Sequence, residues 1–157
     1  MKIKYLIISS MILLSTIVGC SSDKDHFNDE NIIFTVVNTE SSSEYNSYTI
    51  EIKNETGFEL THLMFNLSYP IKTSNGSKGN PFVLEGKADN TVRPVNLKSG
   101  EAIQFLITAP IKEVFSDNDL LDFENPSVDL KGYFKVRYEE IHFGIAGGLR
   151  VLAEMEN

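Results

Sequence analysis

The chain has 157 residues with one cysteine, no tryptophan and 22 acidic against 14 basic residues, a formal net charge of −8. That balance disfavours nucleic acid and an electrostatically held membrane surface, since both are anionic. A single cysteine excludes an internal disulfide framework and a multi-thiolate zinc site, so a folded domain here must rest on its apolar core.

The N-terminus reads as an export signal. A basic start, Met1-Lys2-Ile3-Lys4, leads into an apolar stretch from Tyr5 to Val18, and the chain turns abruptly polar at Ser21-Ser22-Asp23-Lys24-Asp25-His26. As a helix the apolar stretch would reach about 21 Å at 1.5 Å per residue, short of a hydrocarbon core of roughly 30 Å. Ile17-Val18-Gly19-Cys20 resembles the lipobox of bacterial lipoproteins. The resemblance implies cleavage between Gly19 and Cys20, and a diacylglyceryl cysteine carrying palmitate-type chains at Cys20. It also implies an extracytoplasmic, membrane-anchored location on the bacterial cell envelope. The expected division is a lipoprotein signal peptide over 1–19, the lipidated cysteine and a polar tether over 20–30, and one domain over 31–157. Losing Lys2 and Lys4 with the signal leaves 12 basic residues against 22 acidic ones, a mature net charge of about −10. Membrane association is therefore expected through the acyl chains, at about 0.8 kcal/mol per buried methylene.

From Ile32 onward the apolar period is two. Ile32, Phe34 and Val36 alternate, then Tyr48, Ile50 and Ile52, followed by the turn signal Asn54-Glu55-Thr56-Gly57. Leu63, Phe65, Leu67 and Tyr69 mark a strand stopped by Pro70, and Phe82-Val83-Leu84 marks a shorter one. Ile103, Phe105 and Ile107 form the next, closed by Pro110. The longest run places Val128, Leu130, Gly132, Phe134, Val136 and Tyr138 on one face and Asp129, Lys131, Tyr133, Lys135 and Arg137 on the other. Phe143 and Ile145 open a last strand that Gly147-Gly148 bulges or turns before Leu149 and Val151. Inward-apolar, outward-polar alternation is the signature of antiparallel strands with one wet face. The expected fold is all-β: a single immunoglobulin-like antiparallel β-sandwich of about seven strands, preceded by a signal peptide. Leu67, Phe105 and Phe134 are expected in its core. Residues 74–81 read as a flexible loop, and 111–126 as a crossover with one helical turn at Ile111, Val114 and Phe115.

The stretch 48–110 contains a strand, the Asn54-to-Gly57 turn, Phe65-Asn66-Leu67, a Gly-rich loop and Leu97-Lys98-Ser99-Gly100-Glu101. It resembles the FxLYD-type immunoglobulin-like domains of bacterial surface lipoproteins, with Ser68-Tyr69 where that family has Tyr-Asp. The resemblance implies the sandwich fold and no catalytic residues.

No constellation names a chemistry. Asp117, Asp119 and Asp122 are weak calcium candidates, because Leu121 and Asp122 fall where an EF-hand loop needs a ligand and a glycine. Otherwise no metal site and no cofactor is expected. His62 and Met64 share an outer strand face, too few ligands for a soft metal. No Gly-x-Ser-x-Gly elbow is present and the Gly76-Ser77-Lys78-Gly79 loop lacks P-loop spacing, so an enzyme, a hydrolase included, is not expected. The outward stripe Lys131, Tyr133, Lys135 and Arg137 concentrates positive charge around an aromatic ring, and is the candidate binding strip for an anionic partner. The sequence thus points to a lipid-anchored, non-enzymatic binding or accessory module. Its partners would be the membrane and another envelope protein or polymer, with no nucleic acid. The alternative is a calcium- or small-ligand-sensing surface lipoprotein.

Overall fold

A computed structural model of the chain describes residues 26–90, 92–116 and 118–154. The signal segment, Gly19, Cys20 and Asp117 lie outside the described residues. Among those described, no helix is long and apolar enough to cross a membrane.

The alternating runs become strands β1 (Ile32–Ser41), β2 (Asn46–Asn54), β3 (Leu60–Ser68), β8 (Ala102–Ala109), β9 (Ser127–Val136) and β10 (Glu139–Gly148). Short strands β4 (Ile71–Thr73), β5 (Gly76–Lys78), β6 (Leu84–Glu85) and β7 (Lys87–Ala88) lie between, and helix α1 (Leu149–Glu154) follows β10. One sheet has the order β1-β2-β8-β7, the other β10-β9-β3-β6, and β4-β5 is a separate hairpin. Every pair is antiparallel. Taken as A, B, E, D and G, F, C, these strands reproduce the ABED and GFC sheets of an immunoglobulin-like sandwich. The crossing from one sheet to the other happens at Gly86, between β6 and β7. A Cβ there would lie 3.1 Å from the Phe65 carbonyl oxygen and 3.2 Å from Ile107 Cγ1, so only a bare backbone passes between the sheets.

The inward positions of both sheets meet in one core. Ile50, Ile52, Phe105 and Ile107 pack against Phe65, Leu67, Val128 and Leu130, all essentially without solvent contact. Phe65 and Phe105 bridge the layers with ring centroids 5.3 Å apart. Burying one such aromatic side chain contributes on the order of 1.5–3 kcal/mol.

The structure departs from the alternation at five places, each with a local cause. Arg137 and Tyr138 are not the end of a strand. They are the two central residues of the β9–β10 hairpin, which closes at Val136 opposite Glu139. Arg137 has φ 57°, the positive φ that a two-residue hairpin turn requires to match strand twist. Tyr138 therefore stands fully exposed rather than inward. Phe82 and Val83 precede the strand that begins at Leu84, and both are exposed. The expected loop over 74–81 contains the return arm of the β4–β5 hairpin. Leu149 and Val151 begin a helix, not a strand. α1 turns back over Gly147, where a Cβ would sit 3.3 Å from Leu152 Cγ, and it inserts Leu149 and Leu152 into the core's open side beside β1. Finally, ordered packing starts before residue 31. Phe27 stacks on Phe134 at 3.9 Å and also meets Phe58 and Phe143, so Phe134 is a rim residue half-covered by the incoming chain. Residues 27–30, expected in the tether, thus belong to the folded part.

Candidate functional site

Two surfaces are candidates for function. The first is the outer face of the β10-β9-β3-β6 sheet, which carries the basic stripe. Lys131, Tyr133 and Lys135 do project from it, but Arg137 lies beyond it in the turn. Lys131 Nζ pairs with Asp129 at 2.5 Å and Lys135 Nζ with Glu59 at 2.9 Å. Such exposed pairs contribute roughly 0–1 kcal/mol to stability, but they cancel the positive field that the stripe would present. Tyr133 is flanked edge-on by His62 and His142, with centroids at 5.9 and 5.6 Å. Glu140 stands beside them, accepting a hydrogen bond from Thr61 Oγ1 at 2.9 Å and lying 3.9 Å from His62 Nδ1.

His62 reaches this face through a bulge that the sequence did not announce. Thr61 pairs with Tyr133 and Met64 with Lys131, so β3 carries one residue more than β9 there, and His62 adopts φ 53°. The extra residue pushes Leu63 over Gly132. A Cβ on Gly132 would be 2.8 Å from Leu63 Cδ2 and 2.9 Å from the Thr61 carbonyl oxygen. Gly132 in the middle of an otherwise regular strand was the one available signal, since an isolated strand glycine marks a close backbone approach.

Of the calcium candidates, Asp119 and Asp122 are among the described residues. Asp119 is exposed, and both carboxylate oxygens of Asp122 accept from Asn125 Nδ2 at 3.2 and 3.1 Å. Among the described residues, no group of three or more His, Cys, Asp or Glu is placed to hold a metal ion.

The second surface is the end of the sandwich opposite the N-terminal segment. Phe27, the 54–60 loop and the Arg137-Tyr138 turn share one end. The other end gathers the β1–β2 turn, the β4–β5 hairpin, residues 80–83 and the 110–126 connection. Strands of nine residues hold these ends about 30 Å apart. The 110–126 connection opens with a helical turn over Ile111–Phe115, as its apolar spacing predicts, and then runs back along β4. Lys72 N donates to the Leu120 carbonyl at 2.7 Å and Asp122 N to the Pro70 carbonyl at 2.8 Å. Asn80 Nδ2 ties the 80–83 segment down by donating to the Tyr69 carbonyl at 2.9 Å.

These bonds fix an aromatic cluster. Phe115 meets Tyr69, Phe82 and Phe123 edge-on at 5.5, 5.4 and 5.9 Å. Above it, Phe82, Val114 and Leu120 keep 45–62% of their surface in water and line, with Ile71 and Leu121, a cleft of about 280 Å³, and Val83, next to Phe82 in the chain, is exposed as well. Large apolar side chains scattered singly need no explanation, but three around one cleft on tied-down loops make this end the candidate interaction surface. Sequence reading missed it because it assigned Phe82-Val83 to a strand.

The chain matches no protein-family model, and no curated protein is significantly similar to it.

Proposed function

We propose that this is a lipid-anchored protein of the bacterial cell envelope, and that its sandwich is a non-enzymatic binding or accessory module for another envelope protein. The observation that carries the reading is the apolar group Phe82, Val114 and Leu120 around one cleft, with exposed Val83 next to Phe82 in the chain, on the sandwich end remote from the N-terminal segment. The lipobox resemblance at Ile17-Val18-Gly19-Cys20 supports the anchor, and the resemblance of 48–110 to FxLYD-type surface domains supports a role without catalysis. With Cys20 in the membrane and packing resumed at Phe27, the free linker reaches at most about 25 Å. The apolar end is then carried outward, towards partners standing in the envelope rather than towards the protein's own bilayer.

The test compares two double variants of the immobilised domain for capture from a detergent-solubilised envelope fraction. Phe82→Ser with Leu120→Ser removes exposed apolar area while leaving the core intact, and should lose the captured protein. Lys135→Glu with Arg137→Glu reverses charge at the former strip, and should leave capture unchanged within about twofold. Loss of capture in the charge variant, with retention in the apolar variant, would return the binding role to the β9 face.

A further inference from the structure

A second cavity, distinct from the apolar end surface, lies between α1 and the edge of the first sheet. It has a volume of about 630 Å³, and its walls include Val36, Tyr48, Phe123, Leu149 and Arg150. Small-molecule sites are largely apolar cavities of about 300–1,000 Å³ with a few placed polar groups. The polar groups here belong to a chain of hydrogen bonds that runs from exposed Ser41 into the core. Ser41 Oγ donates to Asn46 Oδ1 at 2.5 Å, Asn46 Nδ2 donates to the Tyr69 hydroxyl at 3.4 Å, and the Tyr48 and Tyr69 hydroxyls are 3.3 Å apart. Asn46, Tyr48 and Tyr69 are each more than nine-tenths buried.

Counting protons shows what this chain leaves over. Each tyrosine hydroxyl has one proton, and only one of the two can lie between Tyr48 and Tyr69. If Tyr48 donated inward, the proton of Tyr69 would be left without an acceptor in the sealed core, a loss of about 1–3 kcal/mol. The arrangement that strands no proton in the core has Tyr69 donating to Tyr48, which leaves the Tyr48 proton over. Tyr48 borders the cavity, whereas Tyr69 does not. The second N–H of Asn46, on the same wall, is also uncommitted. A nine-tenths-buried tyrosine on the wall of a cavity of ligand size thus carries a hydroxyl proton that the Tyr48–Tyr69 bond does not use.

We infer that this cavity binds a small apolar molecule through an acceptor oxygen, a carbonyl or a carboxylate, seated against Tyr48 and Asn46. Arg150 on the lining favours the carboxylate and Glu124, also on the lining, opposes it, so the head group is defined by its acceptor and the charge is left to experiment. This site is independent of the apolar end surface, and either can stand without the other.

The test is a titration of the ¹⁵N-labelled, non-lipidated domain followed by NMR, with octanoate, 2-nonanone and octylamine each taken to about 10 mM, a range suited to ligands of about ten heavy atoms. At least one of the two oxygen-bearing ligands should shift the Asn46 side-chain amide and the residues around Tyr48, and octylamine should not. If octanoate binds, Arg150→Gln should weaken it and leave 2-nonanone unchanged, which separates carboxylate from carbonyl. Tyr48→Phe should weaken the bound ligand about five- to tenfold, as expected for one hydrogen bond. Ala153→Phe, on the outer helix, should block the cavity without entering the core, so a loss of binding there cannot be ascribed to unfolding. No saturable shift with either oxygen-bearing ligand, equal binding of octylamine, or an unchanged affinity in Tyr48→Phe would overturn the inference.

Discussion

Asn54 is the side chain whose loss should cost this fold most for its size. It is completely buried at the end of β2 and makes four hydrogen bonds. Nδ2 donates to the carbonyls of Phe58 at 2.8 Å and Leu97 at 2.9 Å, while Oδ1 accepts from Thr56 N at 3.1 Å and Thr56 Oγ1 at 2.8 Å. One amide thus joins the 54–58 turn to the segment that leads into β8. In Asn54→Ala the Leu97 carbonyl keeps its bond from Leu60 N and the Phe58 carbonyl keeps a long one from Thr56 Oγ1, but the Thr56 amide is left without a partner. Four bonds at about 1 kcal/mol each, less the partial replacement at the carbonyls, give a loss of about 3–4 kcal/mol. In a domain of this size that lowers the thermal midpoint by about 10–16 °C. Asn54→Asp should be as damaging at neutral pH, because it sets a carboxylate against two carbonyl oxygens. Its folded pKa would be raised above the unfolded value, so the damage should shrink as the pH falls and the carboxyl becomes a donor again. Urea denaturation of both variants between pH 4 and 7 measures this. A loss under about 1 kcal/mol for Asn54→Ala, or an Asn54→Asp penalty that grows on acidification, would refute the reasoning.

Gly132→Ala should destabilise by about 1–3 kcal/mol through forced movement of Leu63 and the Thr61 backbone, whereas Gly57, a turn glycine with open space around it, should show only the strain of its positive φ; thermal melts of both separate crowding from conformation. Burial holds the Tyr69 hydroxyl far above its ordinary value of 10.0. The unfolded chain therefore gives up this proton first, and stability that is complete below about pH 10 declines as pH rises beyond it. Tyr69→Phe should flatten that alkaline decline in a pH series of urea melts, and an unchanged slope would contradict the assignment. Cys20→Ala should abolish fatty-acid labelling and detergent partitioning in a bacterial host, and wild-type protein in the cytosolic fraction with Met1 retained would end the lipoprotein reading.

The sandwich was legible because its long strands alternate cleanly. Ile50, Ile52, Phe105, Ile107, Val128 and Leu130 all occupy the inner positions that a period of two assigns them. What the period could not reveal was where it is interrupted. The bulge at His62 depends on a contact between β3 and Gly132, seventy residues away along the chain, and the turn at Arg137-Tyr138 interrupts a run of residues suited to a strand. Leu149 and Val151 fit a strand as well as a helix, and the choice falls to the helix because the core's open side beside β1 is filled by Leu149 and Leu152. The stripe Lys131, Tyr133 and Lys135 was placed on the correct face by alternation. Its neutralisation by Asp129 and Glu59 was only half visible, since Glu59 reaches it from the turn before β3. The apolar end surface is assembled from segments near residues 71, 82, 114 and 120, and no local pattern joins them.

The apolar end remote from the N-terminal segment is proposed to meet another protein of the envelope. Placing a photoreactive residue at Val83 or Leu120 of the full-length chain in intact cells tests it directly, with Leu106 on the outer face of the first sheet as an equally exposed control. A discrete crosslinked protein is expected from Val83 and Leu120 and none from Leu106. Equal crosslinking from all three positions, or a product from Leu106 alone, would contradict it.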